Sequence, residues 1–155
     1  HDKYTDEKNR EADEKREQTL KEKYPHIKEN YDSKQDFFEW KDKEYSVIVP
    51  ENVKDIMREG RTLHHCVASS DQYFESINKG YSYILFLRKN EEITTPYYTL
   101  EVKIEKDNKV KILQSYGAYD RRPNAEEVDK VLKMWRQEAE KRVKKAARQT
   151  LQAAG

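Results

Sequence analysis

The sequence predicts an α+β domain: an antiparallel sheet of about three to four strands, helices packed on one face and a charged N-terminal helical arm. Two observations carry this prediction. Apolar and polar residues alternate over residues 97–105, and an Asp107-Asn108 turn leads into a second extended stretch over 110–116, which together predict a β-hairpin. From Val128 to Val143, apolar residues recur with helical spacing and predict a long amphipathic helix.

The N-terminal part of the chain differs in character from the rest. Residues 3–23 are almost continuously charged and favour an exposed helix that ends before Pro25, because they offer no apolar stripe to bury. Aromatic residues lie closer together over 31–40, so we expect that region to dock on the core. The chain therefore divides into an arm, residues 1–43, and an α+β domain, residues 44–155.

Further elements lie between the arm and the hairpin. Residues 45–49 predict a strand that Pro50 ends, and residues 51–59 and 71–79 predict two short helices, each followed by a glycine. Residues 81–88 are apolar at successive positions, which is typical of a strand buried on both faces. We therefore expect this strand near the centre of the sheet.

Composition excludes several classes of protein. The net charge is +1, and a single cysteine cannot form an internal disulfide, which favours a reducing compartment and a cytoplasmic location. No run approaches the roughly 18–20 apolar residues of a membrane span, so no membrane contact is expected. With four glycines in total, the chain has no glycine-rich phosphate-binding loop.

The most reactive side chains occur just after the first short helix. Cys66 follows two adjacent histidines, His64 and His65, and an imidazole beside a thiol favours a nucleophilic thiolate. Neighbours in an extended segment point to opposite sides, so only one of the two imidazoles can face a given cleft. We expect His65 and Cys66 to be catalytic and His64 to contact substrate. The alternative is that Cys66 is a small buried apolar residue.

Polar residues of the predicted sheet supply the rest of the site. Thr99 and Glu101 share one face of their strand, and the hairpin places Gln114 roughly opposite them. We expect Glu101 to act as a catalytic carboxylate, and Thr99, Gln114 and Arg88 to contact substrate. The alternatives are a solvent-facing Glu101 paired with a neighbouring lysine, and a Gln114 that only makes a cross-strand hydrogen bond.

The sequence predicts no metal site and no cofactor. Two histidines, one cysteine and Glu101 could in principle form a zinc set, but adjacent histidines are poor ligands for one ion. The chain also has no pair of cysteines or histidines with the spacing of a zinc motif.

The C-terminal helix carries an excess of about five positive charges over residues 133–148. Such a basic face binds nucleic acid or an acidic partner, although it is also typical of a solvated helix surface. The candidate nucleic-acid contacts are Arg121, Arg122, Lys141, Arg142, Lys144 and Lys145.

The candidate site lies in a pattern that resembles the PcfJ-like domain of conjugative plasmids, phages and related mobile elements. The matching residues are the Glu59-Gly60-Arg61-Thr62-Leu63-His64-His65-Cys66-Val67 block, Tyr73, residues 84–88, Thr99-Leu100-Glu101, Gln114, Gly117 and Asn124. The family often has glycine after Cys-Val, where this chain has Ala68. The resemblance covers about residues 45–135 and implies a mobile-element setting, but it implies no particular reaction.

Two functions follow from these features. The first is an enzyme module of plasmid conjugation or phage biology, with His65, Cys66 and Glu101 at its active site. The second is a non-catalytic module that binds nucleic acid or a DNA-transfer or phage protein through the basic C-terminal helix. The sequence leaves the substrate and the oligomeric state open.

Overall fold

The structure, a computed structural model, describes residues 3–65 and 70–154. These residues form five α-helices: α1 Lys3–Lys23, α2 Ile27–Phe38, α3 Val53–Leu63, α4 Asp71–Asn78 and α5 Ala125–Ala154. They also form five strands: β1 Trp40–Lys41, β2 Tyr45–Ile48, β3 Tyr83–Lys89, β4 Tyr98–Ile104 and β5 Val110–Tyr116. The strands build one antiparallel sheet in the order β1-β2-β3-β4-β5, so the fold is α+β.

One face of the sheet carries the main core. Tyr83 of β3 packs against Phe38 of α2 with ring centroids 5.4 Å apart, and Trp135 of α5 donates a 2.8 Å hydrogen bond to the Phe38 carbonyl. Leu85 and Leu100, paired across β3 and β4, are fully buried on the same face. Helices α2 and α5 therefore cover this face and hold most of the apolar area that stabilises the fold.

The opposite face of the sheet is partly polar. Arg88 of β3 is buried there and forms a two-pronged ion pair with Glu59 of α3, in which Nη2 lies 2.7 Å from Oε1. Helix α1 packs on α3, where Arg61 pairs with Asp13. The predicted one-sided packing thus describes α2 and α5, whereas α3 contacts the other face, where its Glu59 pairs with Arg88.

The predicted strands agree with the structure, and the sheet is larger than predicted by one strand. The hairpin turn is confirmed: Asn108 adopts a positive φ of 67°, which asparagine tolerates, and the Asp107 side chain accepts from the Lys109 backbone N–H. The additional strand, Trp40–Lys41, is only two residues long. Its pattern is too short to be recognised from periodicity.

The N-terminal arm is tied to the rest of the molecule. Leu20, Tyr31 and Phe38 are nearly inaccessible to solvent and belong to the same core cluster as the sheet residues. The Tyr31 hydroxyl reaches β3, where it lies 2.9 Å from both the backbone N–H and the carbonyl of Ile84. The division of the chain at residue 43 stays a prediction.

None of the helices in the described residues is long and apolar enough to cross a bilayer.

Candidate active site

A cavity of about 380 Å³ opens on the partly polar face of the sheet. It lies between the C-terminal end of α3, helix α4 and the middle of strands β3 to β5. Among the described residues it is lined by His65, Tyr73, Ile84, Thr99, Glu101, Gln114, Tyr116 and Asp120. A hollow of this size with several converging polar groups is the usual form of a small-molecule site.

The end of α3 positions His65. His64 takes the left-handed conformation, with φ 52°, and ends the helix, so the His65 backbone N–H bonds back to the Gly60 carbonyl at 3.2 Å. His65 Nε2 then lies 2.7 Å from Thr99 Oγ1 on β4. The Nδ1 atom is buried and has no hydrogen-bond partner among the described residues.

Burial lowers the pKa of His65 below its ordinary value, although the carboxylate of Asp120 acts in the opposite direction. The imidazole is therefore neutral at pH 7. A neutral imidazole has one ring nitrogen without a proton, which is the form that a general base requires. Which of the two nitrogens carries the proton depends on the direction of the hydrogen bond with Thr99.

Neutral donors hold the Glu101 carboxylate in place. Gln114 Nε2 donates to Glu101 Oε1 at 2.8 Å, and Ser82 Oγ donates to Oε2 at 3.0 Å. Ser82, the residue before β3, is buried, and its Oγ lies 2.7 Å from Ser76 Oγ of α4, so the network joins α4 to β4 and β5. Within residues 3–65 and 70–154, no lysine, arginine or histidine forms an ion pair with Glu101.

A β-bulge brings Gln114 to Glu101. Val102 pairs with Ile112, whereas Glu101 pairs with Gln114, so Leu113 is an extra residue in β5. Without the extra residue, regular alternation would place Leu113 on the Glu101 face and Gln114 on the core face. The bulge therefore aims Gln114, and Tyr116 two residues later, into the cavity.

The loop after β5 closes one side of the cavity. The ring of Tyr119 stacks on His64, with centroids 4.7 Å apart and planes within 5°. Tyr119 and Asp120 both have positive φ, at 54° and 58°, a conformation that costs free energy in residues with a side chain. The stack and the strained loop together place Asp120 against the cavity that holds His65.

Comparison with known proteins places the chain in a family. A model of the family described as PcfJ-like protein matches residues 1–132. The chain belongs to this family. A similar protein, the uncharacterized protein Lin1253/Lin1744 of Listeria innocua serovar 6a, is 37% identical over 59 residues. That match covers 38% of the PcfJ-like chain and only 13% of the relative's length. No solved structure matches the chain at a significant level.

The PcfJ-like structure brings together four of the seven residues predicted for catalysis and substrate contact. His65, Thr99, Glu101 and Gln114 all line the cavity. His64 lies beside it and stacks on Tyr119. Arg88 lies away from the lining and pairs with Glu59. Cys66 lies outside the described residues.

Four lining residues, Tyr73, Ile84, Tyr116 and Asp120, were not predicted as site residues. Tyr73 stands in the PcfJ-like sequence pattern, so its position could have been weighed as a wall of the site. The adjacent apolar residues Ile112 and Leu113 break the alternation of β5 and could have signalled the bulge that aims Tyr116. Nothing in the sequence around Asp120 indicates a site.

The predicted nucleic-acid contacts are distributed over two ends of α5. Arg122 pairs with Asp129, and Arg142 and Lys144 pair with glutamates one turn earlier in the helix. Within the described ranges, Arg121, Lys141 and Lys145 are exposed and form no ion pair. The two groups are roughly 30 Å apart along the helix, so they do not form one continuous basic surface.

No metal ligand set is evident in the described part of the chain. Its His, Asp and Glu side chains form no group of three or more that could hold an ion. His65 and Glu101 are instead each hydrogen-bonded to a neutral side chain. The arrangement is suited to proton transfer and to binding an organic ligand by hydrogen bonds.

Proposed function

We propose that the cavity is the active site of an enzyme, in which His65 transfers a proton and Glu101 supplies a carboxylate that the reaction requires. The observation that carries the proposal is the convergence of His65, Thr99 and Glu101 from α3 and β4 on one cavity. His65 is distant in sequence from Thr99 and Glu101, which alternate along β4. Residues that only served a solvated surface would have no reason to gather in such a partly buried group.

His65 suits the role of general base or acid. Its burial keeps the imidazole neutral near pH 7, so it accepts a proton from a bound substrate and can return it to a leaving group. Thr99 holds the ring through Nε2 and limits its rotation. The Asp120 carboxylate on the same cavity stabilises the imidazolium that forms during such a transfer.

Glu101 suits the role of a fixed carboxylate. Gln114 and Ser82 each donate to one of its oxygens, so the group is oriented without being neutralised by a cation. Cys66 directly follows His65 and is proposed as the nucleophile or as a wall of the pocket. The proposal gives Arg88 no substrate contact, because its guanidinium is paired with Glu59.

The proposal includes the setting that the family resemblance implies. A PcfJ-like module of this kind would act in the bacterial cytoplasm, alongside proteins of plasmid transfer or phage growth. All residues given a role at the cavity lie within the matched residues 1–132. The support for this setting is the family alone, and the experiments below do not depend on it.

The test is an untargeted search for turnover. Bacterial metabolite extracts and a peptide mixture are incubated with the wild-type chain, and consumed species are identified by mass spectrometry. At least one species is expected to be consumed by the wild type and spared by Glu101→Gln and by His65→Asn. Matched controls are Glu92→Gln and His26→Asn, both exposed, which should act like the wild type. Equal consumption by the wild type and both cavity variants would contradict the proposal.

The second candidate function is binding of nucleic acid by α5. The observation that favours it is a row of exposed cations, Lys141, Lys145 and Arg148, spaced to share one helix face. These residues lie beyond the family match, whereas the cavity lies within it, so we rank this function second. Reversal of Lys141 and Lys145 to glutamate should abolish nucleic-acid binding, and the wild-type affinity should fall steeply with salt.

A further inference from the structure

The charges around the cavity indicate what kind of ligand it takes. Two carboxylates, Glu101 and Asp120, line it, and the lining among the described residues contains no lysine or arginine. The stretch from Cys66 to Ser69, which follows His65, adds no basic residue either. His65 is neutral because it is buried. The cavity therefore presents two negative charges that no cation of its lining balances.

The remaining lining groups are compatible with a positively charged ligand. Tyr73 and Tyr116 line the cavity, and tyrosine supplies an aromatic ring that attracts cations and a hydroxyl that accepts hydrogen bonds. Lys103 is the nearest lysine on the strand face that carries Glu101. It lines a neighbouring groove along the hairpin and does not line the cavity. An anionic ligand such as a phosphate would meet like charge here, and the described lining offers no positive charge to compensate it.

Building on the proposed function, we propose that the substrate of this site carries a cationic nitrogen, a primary amine or a guanidinium, that binds between Glu101 and Asp120. Such a group donates charge-assisted hydrogen bonds to the carboxylates and packs against the tyrosine rings. A metal ion is disfavoured as the occupant, because these carboxylates and His65 form no set of three ligands in the described residues.

The neighbouring groove bears on where the cation comes from. Glu101 also borders this groove, which is lined in part by Tyr81, Ile104 and Leu113. Tyr81 is 68% exposed and Leu113 40% exposed, so apolar surface continues from the cavity along the hairpin. A free polyamine would fill the cavity alone, whereas the lysine or arginine side chain of a peptide would extend the contact along the groove.

The test measures binding of defined probes by isothermal titration calorimetry with the full chain. The probes are putrescine and agmatine as free cations, Nα-acetyl-lysine amide as a peptide side chain, and inorganic phosphate and AMP as anions. We expect the cations to bind and the anions not to bind. Glu101→Gln and Asp120→Asn should each weaken cation binding by about tenfold or more, as loss of a charged hydrogen-bond partner does. Glu92→Gln, exposed and part of neither the cavity nor the groove, should leave binding unchanged.

The outcomes separate this inference from the proposed function. Failure of every cationic probe to bind at millimolar concentration, or tighter binding of phosphate or AMP, would overturn the inference. Turnover of an anionic or neutral compound that requires Glu101 would also overturn it and leave the proposed function standing. Cation binding that requires Glu101, with no species consumed in the turnover search, would support a site for a cationic nitrogen between the two carboxylates and would overturn the proposed enzyme activity.

Discussion

Glu59 and Glu101 are two carboxylates on the same side of one sheet, and they differ in how their charge is balanced. Glu59 is 2% exposed and is held by the guanidinium of Arg88, which is buried with it. Burial raises the pKa of Glu59 although the guanidinium opposes the shift. Glu101 lines a cavity, and its hydrogen-bond donors among the described residues are the neutral side chains of Gln114 and Ser82.

Under the proposed function, this difference separates a structural charge, Glu59, from a functional one, Glu101. A buried ion pair whose partners satisfy each other has no capacity left for a ligand, and it fixes α3 against the sheet. A carboxylate that is oriented but not neutralised remains available to a substrate. Sequence reasoning gave Arg88 and Glu101 neighbouring roles in one site, and the structure places them in these two environments.

The largest effect is expected from breaking the structural pair. Arg88→Met leaves the Glu59 charge buried without a partner, so the free energy of unfolding should fall by about 3–5 kcal/mol. Urea denaturation followed by circular dichroism measures this loss. The double variant Glu59→Gln/Arg88→Met removes both charges and should recover a large part of it. A single-variant loss below about 1 kcal/mol would mean that the pair does not hold α3 in place.

Glu101→Gln should have the reverse effect of Arg88→Met: stability should hardly change, and turnover should fall. The amide has the same shape and keeps a partner for Gln114, so the free energy of unfolding should change by less than about 1 kcal/mol. Turnover of the substrate found in the consumption assay should fall by about 100-fold or more, as expected for loss of an oriented charge at an active site. If the variant instead unfolds like Arg88→Met, Glu101 belongs with Glu59 as a structural residue.

A smaller effect is expected from the pH dependence of His65. Burial holds its pKa below the ordinary value of 6.5, so the unfolded chain takes up a proton at a higher pH than the folded one. The stability from this neutral imidazole is complete above about pH 6.5 and is lost as the pH falls through the folded pKa. The loss is complete once the pH lies below the folded pKa, where both the folded and the unfolded chain bind the proton.

Paired denaturation curves check this prediction. The free energy of unfolding of the wild type is compared with that of His65→Asn at intervals from pH 7.5 to 4.5. Carboxylates titrate in both proteins, so the difference between them isolates His65. The wild type should lose more stability than the variant below about pH 6.5. Equal slopes, or an imidazole NMR titration at or above the ordinary pKa, would show that burial does not set the charge of His65.

Local patterns predicted much of the fold and part of the site. The alternation over 97–105 and the Asp107-Asn108 turn predicted β4, β5 and their pairing, because one buried face and a tight turn fix both. The same reasoning placed Thr99 and Glu101 on one face and Gln114 roughly opposite them, but the bulge that pairs Gln114 with Glu101 was not predicted. Helix α2 was anticipated only as a docked region, because its aromatic residues indicate burial more clearly than helical spacing.

The parts of the fold and of the candidate site that local patterns did not predict depend on contacts between distant segments. The ion pair of Glu59 and Arg88 joins residues 29 positions apart, and no local pattern indicates which charges meet in the interior. Asp120 reaches the cavity through a strained loop whose residues adopt positive φ without being glycine. Sequence patterns report local preferences, and such strained segments are held in place by surrounding structure instead.

The smallest change in the free energy of unfolding is expected for charges that form no ion pair within the described residues. Lys141 and Lys145 are exposed on α5 and form no ion pair within the described residues, so reversing both to glutamate should change the free energy of unfolding by less than about 0.5 kcal/mol. Arg142 provides the matched contrast on the same turn, because it donates to the Asp36 and Glu39 carbonyls and pairs with Glu138. Its replacement by glutamate should cost about 1 kcal/mol or more. Equal losses from the two changes would show that exposed and partnered charges on α5 are equivalent. A charged partner would then not be what distinguishes Glu59 from Glu101, and the two carboxylates would differ in burial alone.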